Sequence, residues 1–236
     1  MMSGALRVAV VRFPGSNCDL DALGALRLVH GLRPSLVWHE DSEVSGYDAV
    51  VLPGGFSFGD YLRGGAIAAR SPALGRISKL ADKGRPVLGI CNGFQTLIEA
   101  GLLPGALLRN TTLRFVCRWV TVRVDNRRTS FTRAMREGQV LHLPIAHNEG
   151  RYFAPARDLD RLLSEGRAVF RYSDEEGVVS EASNPTGTLR NIAGISNREG
   201  NVVGLMPHPE RAAEEILSPF GSDDGSLVFE SLLRGN

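Results

Sequence analysis

No apolar stretch in this 236-residue chain approaches the ~20 residues a helix needs to cross a membrane, so a spanning helix is excluded. Cysteine is scarce. Cys18, Cys91 and Cys117 are odd in number and widely spaced, with no C-x-x-C, which argues against a disulfide framework and a zinc knuckle. Neither sign of charge is in excess. The formal net charge is +1, and no basic stripe interleaved with aromatics occurs, so nucleic acid and anionic membranes have no electrostatic claim on it. Phosphate-binding loops are missing too: neither a Gly-Lys-Ser/Thr loop nor G-x-G-x-x-G is found. The first residues enter a strand too soon for a signal or transit peptide, so a soluble cytoplasmic protein is expected.

What is present is a core. Hydrophobic residues make up 43% of the chain, enough to fill a sizeable interior. Apolar runs over 6–13, 36–38, 49–52 and 87–90 read as buried strands. Between them, 73–83 carries Leu74, Ile77, Leu80 and Ala81 at helical spacing. A helix up to about His30 follows the first strand, with Ser16 or Asn17 positioned to cap it. Alternating strands and helices imply an α/β fold with a mostly parallel central sheet flanked by helices. Beyond Gly101 the pattern changes. Residues 114–124, 140–145 and 169–172 read as strands, and 192–196 with 202–206 as a hairpin around 198–201, an added antiparallel section. A last helix over 226–233 closes at Gly235. No linker divides the chain, so one domain over 1–236 is expected.

The chemistry concentrates at Gly89-Ile90-Cys91-Asn92-Gly93. This is the nucleophile-elbow pattern, a strand turning sharply into a helix, with sulfur in place of a serine hydroxyl. The apex side chain stands above the first turn of a helix, where unpaired N–H groups stabilise an anion. The thiolate is the reactive form of cysteine. Read alone, Cys91 is more often a small buried hydrophobe. Pro207-His208-Pro209-Glu210 shifts the balance. The prolines extend the chain, so His208 and Glu210 project to one side. A carboxylate fixes the imidazole, whose other nitrogen then accepts a thiol proton. No third ligand at metal-like spacing accompanies them, so no metal is expected. The N–H of Asn92 is one candidate oxyanion donor, and Pro53-Gly54-Gly55 is a loop suited to supply another. His147 is the only competitor for the base. His39 and His142 have no obvious partner, and Cys18 and Cys117 read as packing residues.

Together these residues resemble the class I (triad-type) glutamine amidotransferases and, more narrowly, the glutaminase subunits of phosphoribosylformylglycinamidine synthase, the PurQ type. The likeness spans essentially the whole chain. Besides the elbow and the His-Pro-Glu segment it includes Pro14-Gly-Ser-Asn-Cys-Asp19, the Phe56-Ser-Phe-Gly-Asp-Tyr61 loop and Ala146-His-Asn-Glu-Gly-Arg151. The resemblance implies a flavodoxin-like core. It also implies that Cys91 attacks the side-chain amide of L-glutamine, that His208 carries protons and that Glu210 orients it. Gly55 and Asn92 would form the oxyanion hole, and Gly54, Gln95, His147, Glu149 and Arg151 would bind substrate. No cofactor is implied in this chain. ATP and magnesium would bind a partner synthetase of the PurL type, assembled with a small PurS-type subunit. A glutaminase serving another synthetase and a non-catalytic assembly subunit are the alternatives. Two positions depart from the family pattern: Gly64 stands where cysteine is usual, and Asn148 where glycine is common. Phe56, Phe58 and Tyr61 either cover the core or contact the synthetase.

Overall fold

The computed structural model describes residues 5–234. The first half forms β1 (Leu6–Arg12), α1 (Asp19–Leu28), β2 (Leu32–Trp38), β3 (Ala49–Leu52), α2 (Pro72–Asp82), β4 (Val87–Ile90) and α3 (Asn92–Glu99). Then follow β5 (Ala106–Leu108), β6 (Val116–Val124), β7 (Val140–His147), β8 (Arg151–Phe153), α4 (Ala156–Ser164) and β9 (Ala168–Tyr172). The chain closes with β10 (Ile192–Ser196), β11 (Val202–Leu205) and α5 (Ser226–Glu230).

One nine-stranded sheet runs in the order β2-β1-β3-β4-β11-β10-β9-β6-β7. The neighbours from β2 to β11 are parallel, and those from β11 to β7 are antiparallel. The strands of the parallel half are short and almost continuously apolar. Val50, Val51, Leu52, Val87, Leu88 and Ile90 are all fully buried, as covering helices on both faces require. The antiparallel half alternates instead: in β7, Leu141, Leu143 and Ile145 face the core while the residues between them are half-buried.

Several expected boundaries move. β2 starts at Leu32, earlier than its apolar residues suggested, and includes Pro34. It is an edge strand, so a residue without an N–H costs little there. The same holds for Pro144 in the opposite edge strand β7, which runs on to His147. Neither Ser16 nor Asn17 caps α1. Its N-cap is Cys18, and Ser16 instead pairs with Gly55 across a single β-bridge. α4 was not anticipated. Its sequence is mostly charged, yet Leu159 and Leu162 supply a buried stripe. The final helix breaks at Glu230 into a 3-10 turn, Ser231–Leu233, and Gly235 lies outside the described residues. No helix among the described residues is long and apolar enough to cross a membrane.

Candidate active site

The sheet order brings the two halves of the chemistry together. β4 and β11 are parallel neighbours, pairing Val202 with Val87 through Leu205 with Ile90. Their carboxyl ends lie side by side. Cys91 follows β4 directly, and His208 follows β11 by three residues, so 117 positions of sequence collapse to adjacent strand tips.

Cys91 has φ 50° and ψ −106°, a conformation that side-chain-bearing residues rarely adopt. Three interactions hold it there. Its N–H donates to Leu205 O at 2.8 Å, its carbonyl accepts from Gln95 N at 3.1 Å, and Sγ lies 3.9 Å from Ala146 O. The tight turn into α3 also requires Gly93, because a Cβ there would sit 2.0 Å from Leu52 O of the neighbouring strand. Asn92 is the first residue of α3, so its N–H has no carbonyl one turn earlier in the helix.

His208 Nδ1 and Glu210 Oε1 are 2.6 Å apart, with both side chains almost wholly buried. Burial pushes the His208 pKa down. The negative charge of Glu210, the Cys91 sulfur and Cys18 outweigh it, and the net direction is well above the ordinary 6.5. An imidazolium beside a cysteine sulfur is the pairing that activates a thiol nucleophile. Gly54 lies under the ring, where a Cβ would be 2.7 Å from His208 Cε1.

Cys18 belongs to this group and is more than a packing residue. It is buried, its sulfur accepts from Arg211 Nη2 at 3.1 Å, and its ligand atom and those of His208 and Glu210 lie within 4.8 Å of one another. That third group was invisible in the spacing. Nδ1 of His208 is already engaged by Glu210, and the Cys18 sulfur by Arg211, so the set reads as a charge network. Cys117, also read as a packing residue, is exposed on β6.

A pocket of about 250 Å³ opens in front of Cys91. Of the expected residues, Gly55, Gln95, His147 and Glu149 line it, joined by Asp60 and Arg109. Gly54 and Arg151 are not among its lining residues: Gly54 faces His208, and Arg151 Nε is buried with no hydrogen-bond partner among the described residues. Asp60 sits in the 56–61 motif without an expected role and Arg109 carries no motif, and only their place beside the elbow reveals them. His147 is buried and its pKa falls to about 3, through burial first and then the neighbouring His208. It is neutral at physiological pH. Gly55 has φ +134°, and a Cβ there would meet Asn17 N at 2.7 Å. The loop bearing it is laced to the one after β1 by Cys18 N to Gly54 O (3.3 Å) and Phe56 N to Gly15 O (3.0 Å).

His39 and His142 do have partners. His39 Nδ1 is 2.9 Å from Ser71 Oγ, and His142 lies between Asp224 and Glu175 at 3.1 and 2.7 Å. Phe58 packs against Phe13 and His39, whereas Phe56 and Tyr61 are exposed.

The family of CobB/CobQ-like glutamine amidotransferase domains matches residues 5–230. The chain is 54% identical to the phosphoribosylformylglycinamidine synthase subunit PurQ of Aquifex aeolicus over 228 residues, covering 97% of this chain and 99% of that protein. It is 54% identical to the same subunit of Chlorobaculum parvum, covering 96% and 89%. Among solved structures, PurLQS from Thermotoga maritima aligns at 45% identity and TM-score 0.85, covering 98% of both chains. A putative GMP synthase subunit from Thermoplasma acidophilum, at 17% identity and TM-score 0.62, shares the fold. With a thiol elbow, a carboxylate-bound imidazole and near-complete alignment at this identity, the chain belongs to the PurQ family of glutamine amidotransferases.

Proposed function

We propose that this chain is the glutaminase subunit of a phosphoribosylformylglycinamidine synthase. It hydrolyses L-glutamine and supplies ammonia to a PurL-type synthetase in purine biosynthesis, in a complex completed by a PurS-type subunit. The observation that carries this reading is the junction of Cys91 and the His208–Glu210 pair at the tips of adjacent strands. The near-full-length likeness to PurQ proteins and to the PurLQS structure supports the choice of synthetase.

In this reading the Cys91 thiolate adds to the side-chain carbonyl carbon of glutamine. The oxyanion accepts hydrogen bonds from the N–H groups of Gly55 and Asn92. His208 gives its proton to the amide nitrogen, the C–N bond breaks and ammonia departs, leaving a glutamyl thioester. A water then loses its proton to His208 and attacks that thioester. The C–S bond breaks, glutamate leaves, and the thiolate–imidazolium pair is restored. Glu210 keeps the ring in one orientation throughout. Gln95, His147 and Glu149 shape the pocket that holds the substrate. ATP and magnesium are assigned to the synthetase, and the reaction to the cytoplasm, in keeping with three free thiols.

The test is Cys91→Ala in the reconstituted complex. Glutamine-dependent amidine synthesis is expected to vanish while ammonia-dependent synthesis persists. Retention of the first, or loss of both, overturns the reading.

A further inference from the structure

The side chain next to the nucleophile is committed to a different loop. Asn92 is buried, and both ends of its amide are engaged. Oδ1 accepts from Ser57 N at 3.1 Å, and Nδ2 donates to Asp60 Oδ1 and to Gln95 Oε1, each at 2.9 Å. Gln95 passes the connection on, donating from Nε2 to Glu149 O at 2.8 Å. Two of these bonds tie down the 56–63 loop, which runs an unfavourable course: Phe58, Asp60 and Leu62 all have positive φ. Such a path persists only where its surroundings hold it. Phe58 N to Pro14 O (2.6 Å) fixes one point, and Asn92 supplies two more, at Ser57 and Asp60. The residue just before this loop is Gly55, one of the two oxyanion donors assigned above. Asp60 is half-buried and lines the pocket. Burial raises its pKa; the hydrogen bond from Asn92 opposes that, and the charge of Glu149 adds to it.

We propose that Asp60 is a positioning residue for glutamine hydrolysis: through the Asn92 side chain its carboxylate ties the 56–63 loop to the Cys91 turn, and so keeps the Gly55 and Asn92 N–H groups aimed at one oxyanion. This rests on the glutaminase reading. The role needs an acceptor oxygen at the Asp60 position, and it needs no contact between Asp60 and glutamine.

Two variants separate these requirements. Asp60→Asn keeps a carbonyl oxygen for Asn92, and Asn tolerates the left-handed backbone better than other side chains. Asp60→Gly keeps that backbone without strain and removes the side chain. Both are assayed for glutamine hydrolysis in the reconstituted complex, with competent sites counted by a glutamine-mimicking electrophile on Cys91. Asp60→Gly is expected to lower kcat per labelled site by about tenfold or more, with KM changed by less than about twofold, because oxyanion donors act on the transition state. Asp60→Asn is expected to restore at least half of the lost kcat. Wild-type kcat in Asp60→Gly, a loss confined to KM, or an Asn variant as slow as the Gly variant overturns the proposal. Cys91→Ala run alongside tells the two failures apart. If it still hydrolyses glutamine the glutaminase reading falls; if it is inactive while Asp60→Gly is normal, only the role of Asp60 falls.

Discussion

His208 and Glu210 form a hydrogen-bonded pair at 2.6 Å inside the protein, two residues apart, brought together by a 3-10 turn over Pro209–Arg211 and not by the extended chain that the two prolines suggested. Glu210 Oε2 has no hydrogen-bond partner among the described residues, so the hydrogen bond the carboxylate makes goes to the imidazole. Replacing it by the isosteric amide in Glu210→Gln removes the charge that offsets burial of the imidazolium. We expect kcat for glutamine hydrolysis to fall by about 10²-fold or more, by analogy with a serine-protease triad whose aspartate becomes asparagine. Steady-state kinetics with a labelled-site count checks this, and a loss below fivefold would show that the ring keeps its orientation and charge unaided.

The backbone at Cys91 carries strain that the chemistry requires and stability does not. Glycine adopts φ 50°, ψ −106° far more readily than any other residue. Cys91→Gly is therefore expected to be more stable than Cys91→Ala by about 1 kcal/mol, although both lack the nucleophile. Denaturant titration of the two inactive proteins measures the difference. Equal midpoints would mean that the elbow stores no strain.

His147 predicts an acid-sensitive fold. Its pKa in the folded chain is about 3, against an ordinary 6.5. Between these values the unfolded chain binds a proton on this residue and the folded chain does not. Stability therefore falls as pH drops through the window, by about 1.4 kcal/mol per pH unit for one proton. His208, shifted upward, acts in the other direction: its contribution is complete below pH 6.5 and is lost as pH rises through its folded value. Unfolding free energies from pH 6.5 to 4.5 should thus fall less steeply in His147→Asn than in the wild type. Parallel slopes would contradict a neutral, buried His147.

Gly64 explains one departure from the family pattern. A Cβ at this position would lie 2.3 Å from Gln95 Oε1, so the Gln95 carboxamide occupies the space that a side chain here would need. Gly64→Cys should push the Gln95 amide away from Asn92 and from the Glu149 carbonyl. Because Gln95 lines the pocket, KM for glutamine is expected to rise by about threefold to tenfold with a smaller change in kcat. An unchanged KM would show that Gln95 shifts without consequence.

The parts of the molecule that the sequence disclosed are those whose physics is local. Residues 49–52 and 87–90 are short apolar runs ended by Pro53 and Cys91, and they are strands β3 and β4 to the residue. The Cys91 elbow and the His208–Glu210 pair are each marked by neighbours within two positions, although distant groups such as Leu205 O hold the elbow in place. What stayed hidden depends on distant packing. Cys18 looked like filler because nothing nearby in sequence shows that Arg211 and His208 surround it. Asp60 sat inside a recognised motif without a role, since its partner Asn92 is 32 positions away. α4 escaped because three leucines among charges give a faint pattern, and only the structure shows that Leu159 and Leu162 are buried. Gly54 was expected at the substrate and instead makes room for the imidazole, a distinction that only the direction of its missing side chain reveals.

The pairing of β4 with β11 also sets when the reactive centre comes into being. During synthesis Cys91 leaves the ribosome long before its base does, and the parallel half of the sheet stays open on one side until the last strand slots in. A nascent chain thus carries a sulfur without its base over the 117 positions that separate Cys91 from His208, and the centre is complete only once the polypeptide through Glu210 has been made.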